Sequence, residues 1–275
     1  MIEGMSFRLH YAPHFGMFKH SAGDDPVDQL KFAAEEGFTA WEENGMKEYS
    51  IPDQERISRA MTQLGMRMGV FVPCFEIAWV PSLVTGKDEW TEKFLSDIER
   101  SVEVAKRMNA TWMTVVPGQV AYDMPVGYQT ANVTDVLKRA SALLEPHGLV
   151  MVIEILNFRD HPCQFLTTVS QGHQICKAVG SPSCKLLNDL YHAQIQEGNL
   201  IPNIDAAWSQ IGYFQLGDNP GRNEPGSGEI NYRNVFRHIC GKGYSGILGM
   251  EHGASKPGKE GERTLIESYR EADSF

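Results

Sequence analysis

Gly148-Leu149-Val150-Met151-Val152-Ile153-Glu154-Ile155-Leu156-Asn157 is the stretch that decides the fold. Its five apolar residues between a glycine and an acid lack the polar alternation of a strand with one wet face. They read as a short parallel strand covered on both sides. The acid closes that strand at its C-terminal end, beside low-dielectric walls. Burial raises a carboxylate's pKa and a bound cation lowers it, so Glu154 reads either as a proton carrier or as a metal ligand.

Working outward, runs of the same kind occur at residues 7–11, 38–42, 67–72, 112–116, 184–188, 213–216 and 246–250, with 150–155 the fifth of eight. Amphipathic stretches separate them, the rhythm of parallel strands joined by helical crossovers. Asp25-Pro26 opens the first such stretch, and Glu36-Gly37, Leu64-Gly65, His147-Gly148 and Val179-Gly180 supply glycines suited to helix C-termini. Eight such cycles predict an α/β fold, a (β/α)8 TIM barrel, as one domain over residues 1–275. An open doubly wound sheet is disfavoured, because the first strand-to-helix junction, residues 11–25, carries no GxGxxG fingerprint and no P-loop.

A length of 275 residues suits a single barrel. With 42% hydrophobic and 22% charged residues the chain can bury a large core. A net charge of -10 disfavours nucleic acid and anionic membranes as partners, since both reward clustered Lys and Arg. Five cysteines, an odd number with no CxxC pair, read as reduced and buried thiols. The opening segment MIEGMSFRLHYAP has no apolar stretch of signal-peptide length, and no run reaches the length of a membrane span. The expected location is the cytoplasm, with homo-oligomerisation left open.

Glu154 has three counterparts. Asp189, Gln215 and Glu251 also close strand-like runs, at successive intervals of 35, 26 and 36 residues, about one βα unit each. In a barrel they converge on the C-terminal mouth. Two carboxylates flanking a small substrate, Glu154 and Glu251, suit removal of a proton from one carbon and its return to a neighbour. Three carboxylates and an amide oxygen form a hard, oxygen-only set that suits Mg2+ or Mn2+ better than Zn2+ or Cu2+. His192 lies one turn beyond Asp189, and Arg222 is the one cation in the turn-rich segment 217–228. Glu42-Glu43-Asn44 and His10 read equally as mouth lining or as a solvated corner and a core histidine. Trp79, Trp112 and Trp208 read as packing.

Ile153-Glu154-Ile155-Leu156-Asn157, Asp189-Leu190-Tyr191-His192-Ala193-Gln194, Gln215-Leu216-Gly217-Asp218-Asn219-Pro220, the segment from Glu224 to Tyr232, and Glu251 together resemble hydroxypyruvate isomerase. That enzyme lies within the xylose-isomerase-like barrel superfamily, which also contains ketose 3-epimerases, and the resemblance is densest over residues 148–251. It implies proton transfer through an enediolate, with Glu154 and Glu251 as the acid/base pair and His192 and Arg222 on the substrate's oxygens. The epimerases bind a divalent metal at positions matching Glu154, Asp189, Gln215 and Glu251, with histidine where this chain has Gln215. The sequence departs from the isomerases at Trp41-Glu42-Glu43-Asn44-Gly45 and at His252-Gly253-Ala254, both near the mouth. The function implied is a sugar or keto-acid isomerase acting on a small sugar or hydroxy-keto acid. A ketose 3-epimerase and a non-catalytic sugar-binding barrel are the alternatives. Phosphodiester cleavage on this barrel would call for more strand-end histidines and a basic surface.

Overall fold

The computed structural model describes residues 7–275. Its strands are β1 His10–Ala12, β2 Ala40–Trp41, β3 Arg67–Met68, β4 Trp112–Val115, β5 Val150–Glu154, β6 Cys184–Asp189, β7 Ile211–Leu216 and β8 Ile247–Met250. All pair in parallel, β4 through β8 in succession and β8 back to β1, while β2 pairs with β3. Parallel bridges complete the ring, His14 to Glu42 between the first two strands and Phe71 to Met113 between the third and fourth. Each of the eight runs read from the sequence therefore overlaps a strand, and the ring is a (β/α)8 barrel.

Ladders are shortest at β2 and β3. There the chain leaves regular pairing early, and single bonds such as Glu42 N–H to the Pro13 carbonyl (2.9 Å) and Thr114 N–H to the Phe71 carbonyl (3.0 Å) carry the closure.

Helices α1 Lys19–Ala22, α2 Pro26–Glu35, α3 Ile51–Leu64, α4 Asp88–Met108, α5 Val126–Leu144, α6 Val169–Val179, α7 Leu190–Gln196, α8 Leu200–Ala207, α9 Tyr232–Gly241 and α10 Gly258–Ala272 connect the strands. Asp25 caps α2 by accepting the Val27 and Asp28 N–H groups, with Pro26 inside the start. Gly65 and Gly180 close α3 and α6 at φ 67° and 72°, a conformation that costs a residue with a Cβ.

Strand periodicity sorts side chains into two shells. Met151 and Ile153 of β5 join the large outer core under the helices. Val152 joins Ala12, Ala40, Val70, Leu187, Tyr213 and Ile247 in a small separate cluster filling the barrel's interior. Two residues further along their strands, the same inward-facing row reaches Glu42, Glu154, Asp189, Gln215 and Gly249. The floor of the barrel is thus apolar and its mouth is acidic.

Candidate active site

Asp189 ends β6 and also caps α7, its Oδ1 accepting from the Tyr191 and His192 N–H groups at 2.7 and 3.2 Å. That cap leaves Oδ2 to face the mouth and sets His192 on the first turn of the helix. The His192 ring is fixed from behind. Asn157 donates to its Nδ1 from the backbone at 3.2 Å, and the Asn157 Nδ2 lies 2.6 Å from the same nitrogen. The Asn157 amide is itself oriented, because its Oδ1 accepts from the Arg159 and Asp160 N–H groups and its Nδ2 donates to Asp160 Oδ2. With Nδ1 occupied as an acceptor, the network assigns the proton of the neutral ring to Nε2. Burial brings the His192 pKa down to about 4, so the ring is neutral at pH 7. Its Nε2 is buried without a hydrogen-bond partner, 3.6 Å from Asp189 Oδ2 and 4.0 Å from Glu154 Oε1.

Arg222 reaches the mouth from the loop after β7. Asp218 organises that loop by accepting four backbone N–H groups, those of Asn219, Gly226, Gly228 and Ile230. The segment is therefore a built scaffold, and Arg222 sits in it at φ 51°. Its Nη2 donates to Glu251 Oε2 at 2.8 Å and Asp189 Oδ2 at 3.2 Å, and its Nε to the Glu251 carbonyl at 3.0 Å. The guanidinium lies 4.9 Å above the Tyr191 ring. Burial works against its charge, but Glu251 and Asp189 outweigh it and keep Arg222 ionised. Two of its three nitrogens are thus committed to the protein, and Nη1 makes no bond among the described residues.

Glu251 follows β8 and takes a further bond from Asn44 Nδ2 at 3.2 Å. Burial is the main cause that raises its pKa to about 7, with Arg222 opposing and Asp189 adding to the rise. Glu154 is pushed well above the usual carboxylate range, first by burial and then by the charges of Glu251 and Asp189. Both carboxyls are thus raised above the usual carboxylate range by burial.

Gln215, the register partner of Asp189, is fully buried beside it. Its Nε2 donates to Glu42 Oε1 at 2.7 Å, leaving its Oε1 buried and unpartnered. A buried amide oxygen without a hydrogen-bond partner, on the residue paired with Asp189, is a donor that suits a hard cation. Ligand atoms of Glu154, Asp189 and His192 also lie within 4.8 Å of one another. The tautomer argues against His192 as the ligand, since a protonated Nε2 has no lone pair to give. Of the four residues expected as ligands, Glu154 and Asp189 fall in that cluster, whereas Glu251 lies outside it and its Oε2 is engaged by Arg222.

Glu154, His192, Arg222 and Glu251 line one cavity of about 170 Å³, together with Asn44, Thr114 and His161. Its opposite wall is apolar, built from Val72, Phe75, Ala78, Trp79 and Leu156. Trp79 is 48% exposed and its ring lies 5.3 Å from that of His161, so the expectation that it packs in the core is corrected. It stands on a short 3-10 turn, Glu76–Trp79, whose placement no periodicity reveals. Glu42 is likewise no solvated corner, being only 3% exposed. The strand-end logic that finds Glu154 applies equally to Glu42. His10 is half-buried and bonds Thr39 at 2.8 Å, away from the cavity.

A family model described as xylose isomerase-like TIM barrel matches residues 30–272. A 2-oxo-tetronate isomerase of Pectobacterium atrosepticum is 28% identical over 82% of this chain and 86% of its own. The hydroxypyruvate isomerase of Escherichia coli is 30% identical over 58% of this chain, a match that spans 62% of that enzyme's length. Among solved structures, D-psicose 3-epimerase in the presence of D-fructose superposes with a TM-score of 0.76 at 18% identity, covering 96% of both chains. An AP endonuclease of family 2 from Brucella melitensis does so at 0.77 and 21% identity, covering 92% of this chain and 96% of its own. At such identities these structures share the fold. Among the described residues no helix is long and apolar enough to cross a membrane.

Proposed function

This chain belongs to the xylose isomerase-like TIM barrel family, and from that premise we propose that it is a sugar or keto-acid isomerase whose Glu154 and Glu251 move a proton between adjacent substrate carbons. The observation that carries the reading is the pair itself. Two strand-end carboxylates share one small cavity, both raised by burial, with the unpartnered Nε2–H of His192 beside Glu154. In the forward step the ionised member removes a proton from the hydroxyl-bearing carbon, and the electron pair moves to the carbonyl oxygen to give an enediolate. The hydroxyl proton of the enediolate passes to the former carbonyl oxygen, and the protonated member delivers its proton to the former carbonyl carbon as the neighbouring C–O becomes the new carbonyl. His192 Nε2–H and Arg222 Nη1 would hold the oxygens on which negative charge develops, in a pocket where such donors are worth more than in water.

A divalent ion, Mg2+ or Mn2+, would be held by Glu154, Asp189, Gln215 and Glu251, and when bound it polarises the substrate carbonyl. The buried, unpartnered Gln215 Oε1 beside Asp189 supports that reading. Substrates of the named relatives, hydroxypyruvate and 2-oxo-tetronate, set the class: small hydroxy-keto acids or sugars.

A second reading is epimerisation, in which the same two carboxylates act on opposite faces of one carbon. The similarity of the whole barrel to D-psicose 3-epimerase favours keeping it. Incubation of the Mn2+-loaded enzyme in D2O with a panel of ketoses, aldoses and hydroxy-keto acids separates the two, read by NMR. Isomerisation moves the carbonyl and leaves deuterium on the neighbouring carbon, whereas epimerisation inverts one centre. Absence of exchange across the panel, with sugar binding retained, would instead favour a binding protein.

A further inference from the structure

Glu42 has no part in the proton-transfer pair, yet it is built into the barrel with unusual care. Its Oε1 accepts from Gln215 Nε2 at 2.7 Å and its Oε2 from the Tyr213 hydroxyl at 2.7 Å. Two glycines, Gly249 in β8 and Gly69 just after β3, make the space. A Cβ on Gly249 would collide with Glu42 Oε2, and one on Gly69 with the Tyr213 hydroxyl. Burial, with the nearby Glu251 adding to it, pushes the Glu42 pKa up to about 8, and the bonds from Tyr213 and Gln215 oppose that rise. The consequence falls on Gln215. A primary amide donates from one end and accepts at the other, so anchoring Nε2 on Glu42 turns Oε1 the opposite way, where it is buried and unpartnered.

We propose that Glu42 is a positioning residue that holds the Gln215 amide with its oxygen toward the ion site, making residue 215 an oxygen ligand for a hard divalent cation. The inference rests on the metal reading given under Proposed function. Without Glu42 the amide is free to rotate and present its NH2 group, which has no lone pair to offer a cation. The glutamine at this position and the acid bonded to it are therefore one device.

Mn2+ binding to the full chain, measured by titration calorimetry without substrate, tests it. Loss of an outer partner of a metal ligand costs about 10–100-fold in metal affinity. Glu42→Leu is expected to weaken Mn2+ by that factor, while Glu42→Gln, which keeps a carbonyl acceptor for Nε2, stays near wild type. Gln215→Met should weaken binding as much as Glu42→Leu, and the double variant no further, because the two act as a unit. Wild-type affinity in a Glu42→Leu protein of unchanged circular dichroism would overturn the inference. Should that variant not fold, anomalous diffraction from Mn2+-soaked wild-type crystals decides. Gln215 Oε1 is expected about 2.0–2.6 Å from the ion with Nε2 on Glu42, and Gln215 outside the coordination sphere would refute it. A wild type that takes up no Mn2+ sinks the metal reading and the inference with it, whereas binding that ignores Glu42 sinks only the role of Glu42.

Discussion

Replacing Glu251 with glutamine should stabilise the metal-free protein while slowing its chemistry. Burial lifts the Glu251 pKa from 4.5 to about 7 despite the Arg222 guanidinium 2.8 Å away. An acid whose folded pKa is raised binds more protons folded than unfolded. Stability is therefore full below the unfolded value, falls as pH rises toward the folded value, and is flat above it. At 1.36 kcal/mol per pKa unit that rise corresponds to about 3 kcal/mol, and the 28% exposure of the Glu251 side chain screens it to about 2 kcal/mol. Glutamine keeps the shape and omits the charge. For a chain of this size, roughly 2–4 °C per kcal/mol gives Glu251→Gln a melting temperature about 4–8 °C above wild type at pH 8.5. The gain should shrink to nothing near pH 4.5. Differential scanning calorimetry in EDTA across that range is the assay. A variant that melts lower than wild type at pH 8.5, or a difference that does not change with pH, would refute the reasoning.

Arg222→Ala leaves the fully buried Asp189 without its guanidinium partner, and urea unfolding should show a loss of about 3–5 kcal/mol. Arg222→Lys should recover only part of it, because an ammonium cannot reproduce the Nε and Nη2 bonds together. At the outer shell, Lys47 at 2.9 Å, Lys93 at 3.3 Å and Arg100 at 2.8 Å surround Asp97. Burial raises the Asp97 pKa, but its bonds from Lys47, Cys74 and Arg100 outweigh that and hold it well below the usual carboxylate range. The stability it contributes is present above about pH 4 and is lost on acidification, so the destabilisation seen in Asp97→Asn by chemical denaturation should vanish in acid. Trp79→Ala removes part of the apolar cavity wall and should raise KM with kcat nearly unchanged, the mark of uniform binding in steady-state kinetics.

The eight strands are legible in the sequence because a run covered on both faces has no polar alternation and must stop where it meets a loop. Period-two alternation then aims the closing residue inward, which is why Glu154, Asp189 and Gln215 converge in the structure. Glu42 obeys the same rule, but its sequence context, Glu42-Glu43-Asn44, resembles a solvated corner. Only the gaps at Gly69, just after β3, and Gly249, in β8, show that it is enclosed. The engagement of Arg222 with Asp189 and Glu251 is equally hidden, because it depends on the way Asp218 gathers the loop. The tautomer of His192 depends on Asn157, 35 residues away in sequence, and on the turn that orients its amide.

If Glu154 and Glu251 carry the proton, neither can lose its carboxylate without slowing exchange. Deuterium incorporation from D2O into a bound hydroxy-keto acid or ketose, followed by NMR for the Mn2+-loaded wild type, Glu154→Gln and Glu251→Gln, tests it most directly. Each variant should bind the ligand and exchange about 10²–10⁴-fold more slowly than wild type. Exchange at the wild-type rate in either variant would contradict the assignment.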